Sequence, residues 1–412
     1  MALIVKKFGG SSVATPEKIY ALVDRVLAEK KEEDRIVIVV SAMGDTTDDL
    51  LSLAASIAPQ LPKREMDMLL ATGEQVSISL LASAFVNRGY KAVSLTGFQA
   101  GIRTNAHHTK AGIITVDAKR VEKELEAGNI VVVAGFQGMT EDGDITTLGR
   151  GGSDTTAVAV AAGLKADICE IYTDVDGVYT ADPRMVPGAL KLNEITFGEM
   201  LELARLGAGV MQPRAVEYGE HNNVDIHVRS TFHNVQGTII RREYTVEEKE
   251  FIIRGVTSDV NVAKLAVRDV PDQPGAAFTI FDALAKANID VDMIVQSAST
   301  THKKNDITFT IAKNDLGEAV GVLERLKDVL EYDRVDMESN VAKVSVVGAG
   351  MLGSPGIAAG MFGALAHAGI NLAIISTSEI SISCLIPLED VKKAVNAIHE
   401  YFFKNAEDRD SI

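Results

Sequence analysis

The sequence predicts an α/β protein: a three-layer, doubly wound, largely parallel sheet followed by two ferredoxin-like βαββαβ units. Three observations predict it. Short continuous apolar runs alternate with amphipathic helical patterns over roughly the first 230 residues. A charged, apolar-poor stretch interrupts the chain at residues 241–250, and beyond it one pattern occurs twice, 81 residues apart.

The apolar runs read as buried strands: LIVKKFGG, RIVIVVSA, KAVSLTG, NIVVVAGFQG and ICEIYTD. Between them lie patterns with apolar spacing of three and four, such as PEKIYALVDRVLAEK, where Pro16 suits a first helical turn and Thr15 an N-cap. Continuous apolar strands separated by amphipathic helices imply a sheet covered on both faces. This unit is expected over residues 1–245, with the linker closing it.

The repeat is visible by superposing Pro274 and Gly275 on Pro355 and Gly356. Ala277, Phe281, Leu284, Ala287, Ile289, Ile294 and Ser297 then meet Ala358, Phe362, Leu365, Ala368, Ile370, Ile375 and Ser378. Each copy reads strand, Pro-Gly turn, helix, two strands and helix, which predicts units over residues 262–335 and 342–405.

Composition bounds the function. Formal net charge is −16 and no dense Lys/Arg cluster occurs, so a nucleic-acid partner is not expected. No run of about 18 apolar residues occurs, and MALIVKKFGG lacks the apolar stretch of a signal peptide, so no membrane partner and a cytoplasmic location are expected. The two cysteines, Cys169 and Cys384, lie in separate apolar stretches and read as small buried hydrophobes. With no CxxC or HExxH, no metal ligands are assigned.

One motif misleads. Gly348, Gly350 and Gly353 form a literal GxGxxG after the strand VAKVSVV. Roughly 60 residues remain after it, too few for a dinucleotide-binding half with its partner, and no acid lies about 20 residues on to hold a ribose. It reads as a tight or ligand-binding turn of the second repeat.

The chemistry lies in loops that follow strands. Lys7 ends the first strand, and Phe8, Gly9, Gly10 and Ser11 lead into a helix, a turn whose backbone N–H groups can approach phosphate. Lys7 supplies a point charge for a transferring phosphoryl group. Gly149, Arg150, Gly151, Gly152, Ser153 and Asp154 open a second helix; Arg150 could clamp a carboxylate and Asp154 could orient Lys7 or assist Mg²⁺. The polar loop after EIYTD carries Thr173, Asp174, Tyr179, Asp182 and Arg184, at a sheet edge where ligands bind in such folds. Its DxDG lacks the spacing of a calcium loop. Ser41 and Thr47 trail RIVIVV, and Glu74 opens a helix, where by itself a glutamate is also an ordinary dipole partner.

KKFGGSS, VSAMGDTTDDL, REMDMLLATGEQ, GFQGMTEDGDITTLGRGGSDTTA and YTDVDGVYTADPR together resemble the aspartate kinases of the amino acid kinase superfamily, and the repeats resemble that family's ACT domains. The resemblance implies transfer of phosphate from ATP with Mg²⁺ to the β-carboxylate of L-aspartate, the first step towards lysine, threonine and methionine. It implies that Lys7, Gly9 and Gly10 hold the β/γ-phosphates, with Phe8, Ser41 and Ser153 in the phosphate region. Arg150 and Thr47 would take the substrate carboxylates, alongside Gly151, Gly152 and Ser153, and Glu74 its ammonium. Thr173, Asp174, Tyr179, Asp182 and Arg184 would line the nucleotide, and Lys7, Asp154 and Arg150 would be catalytic.

Asp272, Gln273, Asp292 and Gln296 in the first repeat, and Met351, Asn371 and Ser376 in the second, match the family's effector sites. These imply feedback by lysine, threonine or both, and a homo-oligomer, dimer or tetramer, formed through the ACT units. Asp290 departs from the asparagine that relatives often carry, and Gln212 from the histidine that some carry. Two other readings stay open at this point: a related kinase of glutamate or N-acetylglutamate, and an amino-acid sensor without catalysis.

Overall fold

The computed structural model describes residues 2–58, 61–244, 252–297, 304–351 and 354–404. They form two compact units. The first takes in Met1–Val178, Lys191–Arg205 and Gly209–Glu248, and the second Tyr179–Leu190, Leu206–Ala208 and Lys249–Ile412.

The first unit runs β1 Leu3–Phe8, α1 Pro16–Glu29, β2 Arg35–Val40, α2 Thr46–Ile57, α3 Lys63–Asn87, β3 Ala92–Leu95, β4 Ile102–Thr104 and β5 Ile113–Val116. It continues with α4 Lys119–Glu126, β6 Ile130–Ala134, β7 Gln137–Met139, β8 Ile145–Thr147, α5 Gly152–Leu164 and β9 Ile168–Thr173. β10 Glu194–Thr196, α6 Phe197–Arg205, α7 Pro213–Asn222, β11 Ile226–Ser230 and β12 Thr238–Arg241 complete it. All five strands expected from apolar runs are present, as β1, β2, β3, β6 and β9. Thr15 caps α1 as expected, its hydroxyl accepting from Lys18 N, and Ile19, Leu22, Val23 and Val26 form the buried stripe.

The main sheet has eight strands in the order β10-β12-β11-β9-β1-β2-β6-β3. Only the β11–β12 pair is antiparallel. The chain winds from β1 through β2 to β6 on one side, and through β9 to β11 on the other. Strand order therefore reverses between β1 and its neighbour β9, and sheets of this kind bind ligands beyond the carboxyl ends at such a point. α1 and α3 bury one face against Phe8, Ile36, Ile38, Val40, Val132 and Tyr172. α5 packs on β1, β2 and β9 from the other, with Ala157 to Ala161 and Leu164 buried. A second sheet of four short strands, β5-β4-β7-β8, had no counterpart among the expected elements. Three-residue strands are too short for a period-two pattern to show.

One helix is apolar on average although, as expected, it holds no unbroken apolar run. α3 is long and apolar enough by mean composition to cross a membrane, although charges interrupt its sequence. Within the unit 56% of its most apolar window is buried, and Asp67 and Glu74 lie on the buried face.

The second unit contains β13 Gly255–Pro271, α8 Ala276–Lys286, β14 Val291–Gln296, β15 Lys304–Ala312, α9 Leu316–Leu330, β16 Val335–Val347, α10 Ile357–His367, β17 Ile374–Thr377, β18 Ser381–Pro387 and α11 Val391–His399. The repeat is real in three dimensions: α8 and α10 start 81 residues apart, each after a left-handed glycine, Gly275 and Gly356. One six-stranded sheet, β14-β15-β13-β16-β18-β17, serves both copies. The end of β13 pairs with β15 in the first copy, while its start, Gly255 to Asp259, pairs with β16 in the second. The second copy thus takes its closing strand from ahead of the first.

The misleading glycines have a packing reason. A Cβ on Gly348 would stand 2.1 Å from the carbonyl oxygen of Ile252, and one on Gly350 3.2 Å from its Cα. Gly353 lies outside the described residues.

Candidate active site

β1 alternates its side chains across the sheet, so Lys6 and Lys7 face opposite ways. Lys6 is buried beside Glu29 and Glu170, each 2.7 Å away, and Arg229 bonds the same two carboxylates. Burial alone would raise the carboxyl of Glu29, yet Lys6, Tyr172 and Arg229 together hold it at about 2. Phe8 follows Lys6: its ring stacks on Tyr172 at 4.3 Å in the core, and only its backbone reaches the loop, accepting from Ser41 N.

Lys7 points to the α5 face, where its ammonium meets Asp154 Oδ1 at 2.6 Å. Asp154 sits in the first turn of α5, and both side chains are 13% exposed. The glycine turn after β1 presses against the loop after β2. A Cβ at Gly10 would come 2.5 Å from the carbonyl oxygen of Ala42, so no larger residue fits. Gly44 N donates to Gly10 O, tying the two loops together.

Ser41 Oγ donates to Ser153 Oγ at 2.9 Å, joining the end of β2 to the start of α5. Thr47 is half-buried in the first turn of α2, next along the same loop. Glu74 lies in the middle of α3 and not at a helix start as expected, because the helix runs unbroken from Lys63 through Gly73; it is 2% exposed, and its Oε1 accepts from Ala42 N at 3.1 Å. Its Oε2 is buried with no hydrogen-bond partner among the described residues. Burial pushes this carboxyl up to about 7, and the Ala42 N–H recovers only part of the shift.

The turn before α5 is built from Gly149 and Gly151, at φ 78° and 66°. A Cβ on Gly151 would stand 1.9 Å from Cγ of Gln212, so close approach and backbone conformation both require glycine. Arg150, between them, is exposed at the tip. Gly152 and Ser153 are buried in the first turn, where the free N–H groups of a helix favour an anion. Thr173 and Asp174 lie at the end of β9, joined by a 3.1 Å side-chain hydrogen bond.

Lys7, Gly9, Gly10, Ser41, Glu74, Ser153 and Asp154 are thus brought together by contacts of β1 and the loops after β1 and β2 with α3 and the start of α5. Tyr179, Asp182 and Arg184 fall instead in the segment Tyr179–Leu190, which packs as part of the second unit. There Arg184 Nη2 pairs with Asp182 at 2.8 Å and holds that carboxyl below its usual range.

Two positioning groups escaped the sequence reading. Asp67 is fully buried and accepts from Thr147 Oγ1 at 2.5 Å and from Thr109 N at 3.0 Å; His108 Nδ1 is 2.7 Å away. It ties α3 to the strand that leads into the Gly149–Gly151 turn. Arg214 holds the same strand end from α7, donating to Leu148 O at 2.9 Å and Ala111 O at 2.6 Å. Asp67 stands seven residues before Glu74, two helical turns on the same face, and that spacing was a usable clue.

The effector candidates line the rims of the second unit's sheet. Asp272 and Gln273 are exposed in the β13–α8 turn, and Asp292 and Gln296 are on the edge strand β14. Met351 follows β16, Asn371 precedes β17, and Ser376 is on that opposite edge strand. Asp292 pairs with the buried ammonium of Lys343.

Comparison with known proteins agrees with this architecture. The amino acid kinase family model matches residues 2–230, and an ACT domain model matches residues 268–326 and 344–402. The chain is 51% identical over 402 residues to aspartokinase 2 of Bacillus subtilis, covering 98% of each, and 49% identical over 411 residues to the aspartokinase of Mycolicibacterium smegmatis, covering 99% of this chain and 98% of that one. Among solved structures, Escherichia coli aspartokinase III in complex with aspartate and ADP superposes with a TM-score of 0.82 at 25% identity, over 97% of this chain and 100% of that one. The chain belongs to the amino acid kinase family, as one of its aspartokinases with paired ACT domains.

Proposed function

We propose that the crevice between the loops after β1 and β2 and the start of α5 is where the γ-phosphoryl group of ATP passes to the β-carboxylate of L-aspartate. The chain is an aspartate kinase, giving ADP and 4-phospho-L-aspartate at the head of the aspartate family of amino acids. The single observation that carries the site is the Lys7–Asp154 pair at the strand-order reversal, flanked by two glycine turns.

The nucleophile needs no strong base, because a carboxylate is already ionised at neutral pH. The chain's task is alignment and charge compensation. Lys7, steered by Asp154, places its ammonium on the β/γ-phosphate oxygens. The N–H groups of Gly9 and Gly10 and the start of α5, with Ser41 and Ser153, hold the remaining phosphate oxygens. Arg150 and Thr47 grip the substrate carboxylates, and the free Oε2 of Glu74 accepts from the ammonium. Thr173 and Asp174, and the following Tyr179, Asp182 and Arg184, take the nucleotide. Mg²⁺ bound with ATP would neutralise phosphate charge there, and Asp154, beside Lys7 at the start of α5, would be the carboxylate placed to assist it.

Residues 1–245 are assigned to catalysis, and 262–335 and 342–405 to two ACT domains. Aspartokinase III of Escherichia coli has been solved with lysine and aspartate in a T-state. Lysine, threonine or both are therefore proposed as effectors at Asp272, Gln273, Asp292 and Gln296 and at Met351, Asn371 and Ser376. Both edges of the second unit's sheet, β14 and β17, end without a further strand among the described residues, which favours edge pairing into a homo-oligomer. A cytoplasmic location belongs to the same proposal.

ADP release measured with aspartate, glutamate and N-acetylglutamate tests the activity, and turnover confined to aspartate is expected. Initial rates with lysine, threonine and their mixture test the regulation; insensitivity to all three removes it.

A further inference from the structure

We infer that His399 and Asn396, on the last helix of the second ACT repeat, are positioning residues for the nucleotide. The inference rests on the reading of Tyr179, Asp182 and Arg184 as nucleotide contacts. Those three residues lie on Tyr179–Leu190, a segment within the stretch matched by the kinase family, yet it packs inside the second unit.

Four sets of contacts hold the segment there. Thr180 Oγ1 and His399 Nε2 share a buried hydrogen bond of 2.8 Å, and the same hydroxyl accepts from Leu190 N at 2.9 Å, pinning both ends of the segment. Asn396 Nδ2 donates to Met185 O at 3.0 Å and to Lys392 O in its own helix at 2.7 Å. Val256 N donates to Thr180 O at 2.7 Å from the start of β13. Ala181 and Val186 are buried in one cluster with Val395 and Ile398 of α11.

The geometry explains why each contact matters. Thr180 immediately follows Tyr179, and Met185 immediately follows Arg184, so α11 grips the chain one residue from two of the three nucleotide contacts, by the Thr180 hydroxyl and the Met185 carbonyl. His399 is itself fixed, buried and stacked on Phe403 at 4.6 Å. A segment held only at its own ends would let Asp182 and Arg184 wander, and their ordering would then be charged against nucleotide binding. Anchoring on α11 removes that cost in advance. The consequence is asymmetric: losing an anchor weakens ATP and leaves aspartate alone, because the aspartate contacts belong to the first unit.

The test is steady-state kinetics of the full-length enzyme with His399→Ala, His399→Gln, Asn396→Ala and Arg184→Ala. One hydrogen bond of ordinary strength corresponds to roughly a fivefold effect. His399→Ala is expected to raise KM for ATP about five- to tenfold, with KM for aspartate and kcat at saturation within about twofold. His399→Gln restores part of the affinity, since its amide can still bond Thr180, and Asn396→Ala raises KM for ATP roughly threefold. If Arg184→Ala weakens ATP while the α11 variants do not, the positioning role is overturned and the nucleotide reading stands. If Arg184→Ala leaves ATP unaffected, the nucleotide reading falls and takes this inference with it. An equal rise in both KM values marks a merely structural role and also overturns it. Should His399→Ala fail to fold, the Gln and Asn396→Ala variants decide, and an unchanged KM for ATP in both sinks the proposal.

Discussion

Lys7 Nζ stands 2.6 Å from Asp154 Oδ1, joining the end of the first strand to the first turn of α5. The pair is mostly shielded, so the ammonium is held in one direction and is not swept through solvent. Asp154→Asn keeps the shape but loses the charge that steers Lys7. A fall in kcat of about 10²–10³ is expected for it, and at least as much for Lys7→Ala, with KM for aspartate changed little. Coupled measurement of ADP release checks both, and full activity in Lys7→Ala refutes the phosphate role.

Glu74 makes substrate binding depend on pH. Its carboxyl is raised to about 7 by burial, whereas an ammonium partner needs the ionised form. KM for aspartate should therefore fall as pH rises through about 7 and level off above it. Glu74→Gln should raise KM about 10- to 100-fold and abolish that dependence. Stability moves the other way. A folded-state pKa above the unfolded value stabilises most below the unfolded pKa and is lost as pH rises through the folded one. Glu74→Gln should accordingly be the more stable protein at pH 8 without substrate, by up to about 3 kcal/mol. A melting temperature at pH 8 no higher than that of the parent counts against the shift.

Asp67 anchors a strand, a loop and a histidine from inside the first unit. Asp67→Ala strands these donors in the interior, and a loss of about 3–5 kcal/mol is expected from denaturant titration. Among molecules that remain folded, KM for aspartate should rise, because the Gly149–Gly151 turn loses its support from α3.

Acid should unfold the first unit through Glu29. Its pKa lies below the unfolded value, so its contribution is present above about 4.5 and is lost as pH falls towards about 2. Glu29→Gln should flatten the acid limb of the melting-temperature profile and cost about 3 kcal/mol at neutral pH, since Lys6 and Arg229 lose a partner. An unchanged acid limb disproves the assignment.

Both cysteines are buried and free, with thiol pKa values pushed up by burial, that of Cys384 to about 12. Alkylation at pH 8 followed by mass spectrometry should find no adduct on the folded chain and two after denaturation. Rapid labelling of either thiol in the native state contradicts this burial.

Much of the architecture was legible in the sequence because its cues are local. Apolar runs marked β1, β2, β3, β6 and β9, and Thr15 and Pro16 marked the start of α1. The duplication could be seen by aligning the chain with itself. What escaped was whatever depends on residues far apart in the chain. The three-residue strands of the second sheet carry no periodicity to detect. The closing strand of the second repeat lies ahead of the first, where no repeat pattern points to it. In the site, glycine turns and Lys7 announced themselves by composition, whereas Asp67 offered only its spacing to Glu74, and Arg214 looks like an ordinary helix residue until its partner at Leu148 is known.

By itself, the sequence determined which side chains this protein has for phosphate and carboxylate, and which loops carry them, since strand, turn and helix order is written in short-range pattern. Only the tertiary structure decided which of them meet. It turned Lys7 towards Asp154 and Lys6 away from it, because neighbouring residues of a strand face opposite sides of the sheet. It buried Glu74 far enough to raise its carboxyl to about 7. It also carried Tyr179–Leu190 out of the unit its sequence adjoins and onto α11, because Ala181 and Val186 are buried there with Val395 and Ile398.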